Sequence, residues 1–225
     1  MINLKLFHFG PLEANCIVAW KEGAAGCAVI DPGMFYIQER DVPLDFITEQ
    51  GLKVDAILLT HGHFDHFFGA GYLQKKTGAK VYIHPADVVV GMHQMSTMTK
   101  LALKNHPFDE FTPTDVADGD IIEAGGISWR VLETPGHSPG GVAYVDEDDA
   151  LVVPGDTLFA GSIGRSDLEG GDYDVLMDSL LHKLLTLPDE YEVIPGHGPG
   201  TTIGAEALSN PFLQPFNEPI DPSEE

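Results

Sequence analysis

Basic residues are scarce in this 225-residue chain: 12 Lys plus Arg stand against 35 Asp plus Glu, a formal net charge of −23 with histidine neutral. Such a field repels polyanions unless a local basic run overcomes it, and the sequence contains no such run, which argues against nucleic acid or an anionic membrane as a partner. Cysteine is nearly absent as well. Cys16 and Cys27 each sit in an apolar, strand-like context, so they are expected as reduced core residues on neighbouring strands of a hairpin, with a cross-strand disulfide as the alternative. No run of 18 apolar residues is available to span a bilayer. No charged head followed by a long apolar stretch and a small-residue cleavage site opens the chain, and a cytoplasmic location is expected. Apolar content of 43% and charged content of 21% are ordinary for a globular protein, and the length fits one large domain or two small ones with a sizeable core.

The strongest local signal is Thr60-His61-Gly62-His63-Phe64-Asp65-His66, directly after the apolar stretch Val54 to Leu59. Three imidazoles and a carboxylate crowded this closely compete for water and destabilise one another unless a cation orders them. Imidazole nitrogen and carboxylate oxygen suit zinc, iron or manganese. On a strand-to-helix turn, His61 and His63 leave the strand end on one side, while Asp65 and His66 open the next helix and aim elsewhere, which makes room for two adjacent metals. The bland reading, a surface histidine patch, suits an isolated His-x-His better than this longer cluster. A catalytic metal needs further ligands from other loops and keeps an open position.

In chain order, Leu4 to Phe9, Asn15 to Trp20 and Cys27 to Ile30 read as a β-meander punctuated by Gly10-Pro11 and the turn from Gly23 to Gly26. Asp31-Pro32-Gly33 ends the third strand. Asp31 is read as a turn residue holding local amides, in preference to a partner of a metal-binding histidine. A helix follows from Val42 and stops at Gly51; the strand Val54 to Leu59 is apolar enough to be covered on both faces. Phe67, Phe68, Tyr72 and Leu73 form a helical stripe closed by Gly78, then a strand runs from Lys80 to Ile83, and His84 reads as a structural loop residue. Residues 86–111 are methionine-rich and helix-prone, an expected helical insertion placed to overhang a metal cleft as a lid, with His93 and His106 left on its surface.

The strand Ile127 to Leu132 runs into Thr134-Pro135-Gly136-His137-Ser138-Pro139-Gly140, where proline and glycine stiffen the backbone around one histidine. Another strand pair ends in Gly155-Asp156-Thr157, placing at a strand end a carboxylate able to bridge two cations. The loop Gly161-Ser162-Ile163-Gly164-Arg165-Ser166-Asp167 lacks the lysine and spacing of a phosphate loop and is not read as nucleotide-binding. Asp172 caps an amphipathic helix whose expected apolar face includes Val175, Leu176, Leu180, Leu184 and Leu185, with His182 facing solvent. A last strand, Glu192 to Ile194, leads to Pro195-Gly196-His197-Gly198-Pro199. Loops at strand ends thus deliver His61, His63, Asp65, His66, His137, Asp156 and His197.

These motifs, with Gly155-Asp156-Thr157-Leu158-Phe159 and the run from Gly196 to Glu206, resemble the metallo-β-lactamase-fold superfamily, and within it glyoxalase II (hydroxyacylglutathione hydrolase), over about Ile30 to Glu206. The resemblance implies an α/β fold: a four-layer αββα sandwich of two mixed sheets flanked by helices, with the site at one edge of both. One domain is expected over residues 1–210, with the insertion at 86–111 and an acidic, proline-rich tail at 211–225. The resemblance further implies two divalent ions, zinc first with iron and manganese as alternatives. His61, His63 and His137 would hold one, Asp65, His66 and His197 the other, and Asp156 would bridge. Asp65 and Asp156 would be catalytic, and a metal-bound hydroxide would cleave a small-molecule thioester such as S-lactoylglutathione, whose thiolate leaves with little need of an acid.

Only a short segment follows His197 here, so the C-terminal helical domain with which long glyoxalase II enzymes grip glutathione is not expected, and the resemblance is to the compact bacterial proteins of that type. Arg165 is the candidate for a substrate carboxylate; its alternative is a structural ion pair with Asp167. Persulfide dioxygenases share the same seven residues around a single iron, and lactonases and β-lactamases turn the same hydroxide on other carbonyls. A non-enzymatic binding module fits least, since it has no use for a complete ligand set with an open position.

Overall fold

A computed structural model describes residues 1–101 and 108–214. Strands β1 (Ile2–Phe9) and β2 (Ala14–Lys21) form an antiparallel hairpin in register from Ile2↔Lys21 to Phe9↔Ala14, with Gly10 at φ 70° supplying the left-handed turn conformation. Strand β3 (Gly26–Ile30) pairs antiparallel with β2, completing the expected meander. The chain then switches to parallel pairing. Helix α1 (Val42–Glu49) crosses to β4 (Lys53–Leu58); the short α2 (Phe64–Phe67) and α3 (Ala70–Thr77) cross to β5 (Lys80–Ile83); α4 (Pro85–Leu101) precedes β6 (Pro113–Asp115).

Strands β7 (Ile121–Ala124), β8 (Ile127–Glu133), β9 (Val142–Asp146) and β10 (Leu151–Gly155) form the antiparallel part of a second sheet. After the two-residue strands β11 (Leu158–Phe159) and β12 (Ser162–Ile163), helix α5 (Tyr173–His182) crosses to β13 (Glu192–Pro195), which lies parallel to β10. β14 (Thr201–Thr202) and helix α6 (Ile203–Ser209) follow. The two six-stranded sheets run β1-β2-β3-β4-β5-β6 and β14-β13-β10-β9-β8-β7.

Alternation along the strands builds the layers. Ile17, Ala19, Ala28, Ile30 and Leu58 point between the sheets and meet Trp129, Val131, Tyr144 and Val153. Their neighbours Cys16, Val18, Val29 and Ile57 point outward and pack under Phe67, Phe68 and Leu73. On the far side, Val145 and Val152 pack beneath Leu176, Leu180 and Ile203. Both sheets are therefore covered on both faces, which is why β3 and β10 read as continuous apolar runs. The result is the four-layer sandwich expected from the resemblance.

The two cysteines are free and buried, and the β2–β3 register, Ile17↔Ile30 to Ala19↔Ala28, keeps them at opposite ends of the ladder, excluding the disulfide alternative. Two expectations need revision, and a third lies partly outside the described residues. Val175 is 40% exposed, so the buried stripe of α5 is Leu176, Met177 and Leu180. The fold also continues past residue 210, because Leu213 is fully buried in the third core cluster. Finally, the insertion forms a helix to Leu101, and the remainder of its expected span includes residues outside those described. His106 and residues 215–225 of the tail also lie outside them.

Candidate metal centre

The seven chemistry-bearing residues come from the carboxyl ends of four strands. Loops after β4, β8, β10 and β13 carry His61 to His66, His137, Asp156 and His197 to one edge of the sandwich. They arrive as two clusters. His61, His63 and His137 bring one ligand-type atom each within 4.8 Å of one another, as do Asp65, His66 and His197. Asp156 lies between them: its Oδ2 is 3.6 Å from His137 Nε2 and 3.5 Å from His197 Nε2, and its Oδ1 is 3.5 Å from His66 Nε2. One carboxylate therefore reaches both clusters.

Four of the five imidazoles, all but His63, are turned by a bond on the outer side. His137 Nδ1–H donates to the Arg165 carbonyl (2.7 Å), His197 Nδ1–H to the Leu12 carbonyl (3.0 Å) and His66 Nδ1–H to Asp31 Oδ2 (3.0 Å). The Thr60 hydroxyl donates to Asp31 Oδ2, so its oxygen accepts from His61 Nδ1–H (3.0 Å). In the neutral rings that a metal ion would bind, all four Nε2 atoms then carry lone pairs aimed inward. His66 Nε2 and His197 Nε2 stand 3.2 Å apart, and His137 Nε2 stands 2.9 Å from His63 Nδ1. Lone pairs facing each other at such distances repel unless a proton or cation sits between them. The buried His61 Nε2 and Asp156 Oδ1 atoms, moreover, have no hydrogen-bond partner. The donor set fits divalent cations of the zinc, iron and manganese type.

Burial, reinforced by the neighbouring imidazoles, pushes His61 well below the usual histidine range, and His63 down to about 4. Both are neutral at pH 7, the state a metal ligand needs. Burial works against the charged forms of Asp65 and Asp156, but the adjacent His66 and His197 outweigh it and lower both carboxyls. The same pairing raises His66 and His197 despite burial. The second cluster is thus balanced by positive charge on its histidines, a role that a bound cation takes over.

Asp31 corrects the turn reading. It is 1% exposed; its Oδ1 accepts from the Thr60 amide (2.8 Å) while its Oδ2 serves Thr60 Oγ1 and His66, so it orients histidines of both clusters. Asn15 was not singled out in the sequence at all. Its Nδ2 donates to the carbonyls of Pro195 (2.8 Å) and Gly198 (3.0 Å) and its amide to that of Gly196 (2.7 Å), pinning the loop of His197 from β2. His84 is structural as expected, accepting from the Ala86 amide at the start of α4 and lying 3.3 Å from Glu133.

The centre opens into a cleft of about 740 Å³ walled by Leu12, Phe64, Gln94, Arg165 and Leu168. Helix α4 forms one side, and Gln94 Oε1 accepts from the Phe64 amide (3.0 Å). His93, 60% exposed in its side chain, reaches Glu169 across the mouth (2.9 Å), so it belongs to the rim. The Arg165 side chain lies on the wall in a two-pronged pair with Asp167 (2.8 and 2.9 Å). Among the described residues, no helix is long and apolar enough to cross a membrane.

The model of the metallo-β-lactamase superfamily matches residues 9–197. The chain is 34% identical over 215 residues to the hydroxyacylglutathione hydrolase GloC of Haemophilus influenzae, covering 94% of this chain and 98% of that protein. Its fold matches the crystal structure of TTHA1623 in a di-iron-bound form with a TM-score of 0.79 and 40% identity, covering 93% of this chain and 100% of the other. It also matches the BLEG-1 B3 metallo-β-lactamase, with a TM-score of 0.80 and 33% identity over 95% of this chain and 99% of the other. The chain belongs to the metallo-β-lactamase superfamily, as a metallo-hydrolase of that fold.

Proposed function

We propose that this protein hydrolyses a small hydroxyacyl thioester, of the kind represented by S-lactoylglutathione, at a centre of two divalent ions. His61, His63 and His137 hold one ion, Asp65, His66 and His197 the other, and Asp156 is shared. When bound, such a pair supplies Lewis acidity and lowers the pKa of a coordinated water to about 7. Asp65 and Asp156, both ionised and facing the cleft, orient the attacking water. Phe64, Leu12 and Leu168 exclude bulk solvent around the acyl group.

The observation that carries the reading is the absence of a dedicated acid. Among the described residues lining the cleft, the titratable groups outside the seven are His93, Arg165 and Glu169. His93 and Glu169 are paired with each other at the rim, and Arg165 is held by Asp167. A site whose remaining titratable groups are tied up in ion pairs at the rim and wall favours a leaving group that departs as an anion. A thiolate does so readily, its conjugate acid titrating at about 8.5; the amine leaving from an amide does not. The similarity to GloC supports the same substrate class. Arg165 exchanges Asp167 for a substrate carboxylate, so Arg165→Ala raises KM and leaves kcat within a few-fold. A cytoplasmic location goes with this reading, in which the two free, buried cysteines need no oxidising compartment.

A second reading is iron-dependent persulfide oxygenation; the di-iron-bound form of TTHA1623 keeps iron open as the metal and does not bear on that chemistry. The test is thiol release from S-lactoylglutathione by zinc-loaded protein under anaerobic conditions, with a β-lactam, a lactone and persulfide-dependent oxygen uptake by iron-loaded protein run in parallel. Thioester cleavage without oxygen is expected. Oxygen uptake without thioester cleavage reverses the ranking.

A further inference from the structure

Helix α4 lies outside every motif that carries the metal ligands, yet its third residue is a fully buried acid. Asp87 is 0% exposed, and its carboxylate spans two loops that are remote in sequence. Oδ2 accepts from the Gly62 amide (2.7 Å), between His61 and His63, and Oδ1 accepts from the Gly140 amide (2.5 Å), in the loop of His137. The approach is close on both sides. A Cβ added to Gly62 would lie 2.1 Å from the Asp87 carbonyl oxygen, and one added to Gly140 would lie 2.8 Å from Asp87 Oδ1. Neither position leaves room for a side chain beside Asp87, and at Gly140 His84 Nδ1 crowds the same space at 2.5 Å. The second cluster does not share the clamp: Asp31 and Leu12 orient His66 and His197, and Asn15 holds the His197 loop.

We propose that Asp87 is a positioning residue for the first metal site, a single carboxylate that fixes the His61/His63 loop against the His137 loop and so sets the spacing of all three imidazoles. It touches neither substrate nor metal. Gly62 has its N–H satisfied by one oxygen and Gly140 by the other, so an asparagine in this place fills the same volume but turns an NH₂ toward one of the two donors. One loop is then released while the packing of α4 survives.

The inference rests on the two-site reading, and its test separates the two. Zinc affinity is measured by chelator competition in two backgrounds: Asp65→Ala, which isolates the site of three histidines, and His63→Ala, which isolates the other. Adding Asp87→Asn is expected to weaken zinc binding by roughly 10–100-fold in the first background, the range typical of residues that orient ligands, and by less than about threefold in the second. Asp87→Ala is expected to be at least as severe. Leu73→Ala, a core truncation in α3 remote from both loops, controls for lost stability and is expected to change neither affinity. Equal losses in both backgrounds, or an Asp87→Asn effect no larger than that of Leu73→Ala, would overturn the positioning role while leaving the two-site reading intact. Parent protein that binds no zinc overturns both.

Discussion

Replacing Asp31 by asparagine removes one charge and no volume. The residue adopts a left-handed backbone at φ 49°, a conformation asparagine tolerates about as well as aspartate, so the substitution adds no backbone strain. An asparagine Oδ1 still accepts from the Thr60 amide. The Nδ2 that replaces Oδ2, however, meets two groups that were donating to it, the Thr60 hydroxyl and His66 Nδ1–H. The hydroxyl can rotate and accept. The imidazole must instead move its proton to Nε2, the atom that faces Asp65, Asp156 and His197.

Two consequences follow, with different magnitudes. Metal-free protein loses a buried, charge-assisted hydrogen bond worth about 1.5–3 kcal/mol; at ~2–4 °C per kcal/mol for a chain of this size, Tm falls by roughly 3–12 °C. Metal-loaded protein loses a ligand lone pair in the second site, and binding there weakens by about 10–100-fold. Thermal unfolding in chelator reads the first and stepwise zinc titration the second. Parental Tm together with parental affinity in Asp31→Asn would refute the role assigned to this carboxylate.

Asp156→Ala is expected to abolish turnover, because it removes the one carboxylate that reaches both clusters, whereas His84→Ala keeps turnover within a few-fold; steady-state rates at matched metal content compare them. Asp109 accepts from Lys75 (2.6 Å) and Arg40 (3.0 Å), and Lys75 followed by Arg40 holds its carboxyl below the usual range. A depressed carboxyl contributes stability that is complete above its ordinary pKa and is lost as pH falls through the folded value. Asp109→Asn should therefore cost about 0.2–1 kcal/mol at pH 7, with the gap to the parent closing as pH drops below about 4; chemical unfolding at both pH values measures it.

The ligands themselves were legible because each sits in a short loop at a strand end, four of them in the dense His-x-His-x-Asp-His run and the other three beside glycine and proline, so local spacing and backbone chemistry point to the same seven residues. Their supports were not legible, for a physical reason. Asp-Pro-Gly at 31–33 is also a good turn, and only the fold reveals that His66, thirty-five positions on, lies against it. Asn15 acts on carbonyls about 180 positions away, and Asp87 on amides 25 and 53 positions away; no local pattern marks such pairings. Helical periodicity gives a stripe but not its edge, so it places Val175 on the apolar face of α5 although the residue is 40% exposed. Flanking prolines make Leu213 look like part of the tail, whereas burial in the third cluster ties it to the domain.

Elemental analysis of purified, folded protein tests the central claim most directly. Two clusters sharing Asp156 predict close to two transition-metal ions per chain, falling towards one in Asp65→Ala. Fully folded protein that carries none and takes up none from zinc, iron or manganese would contradict the account.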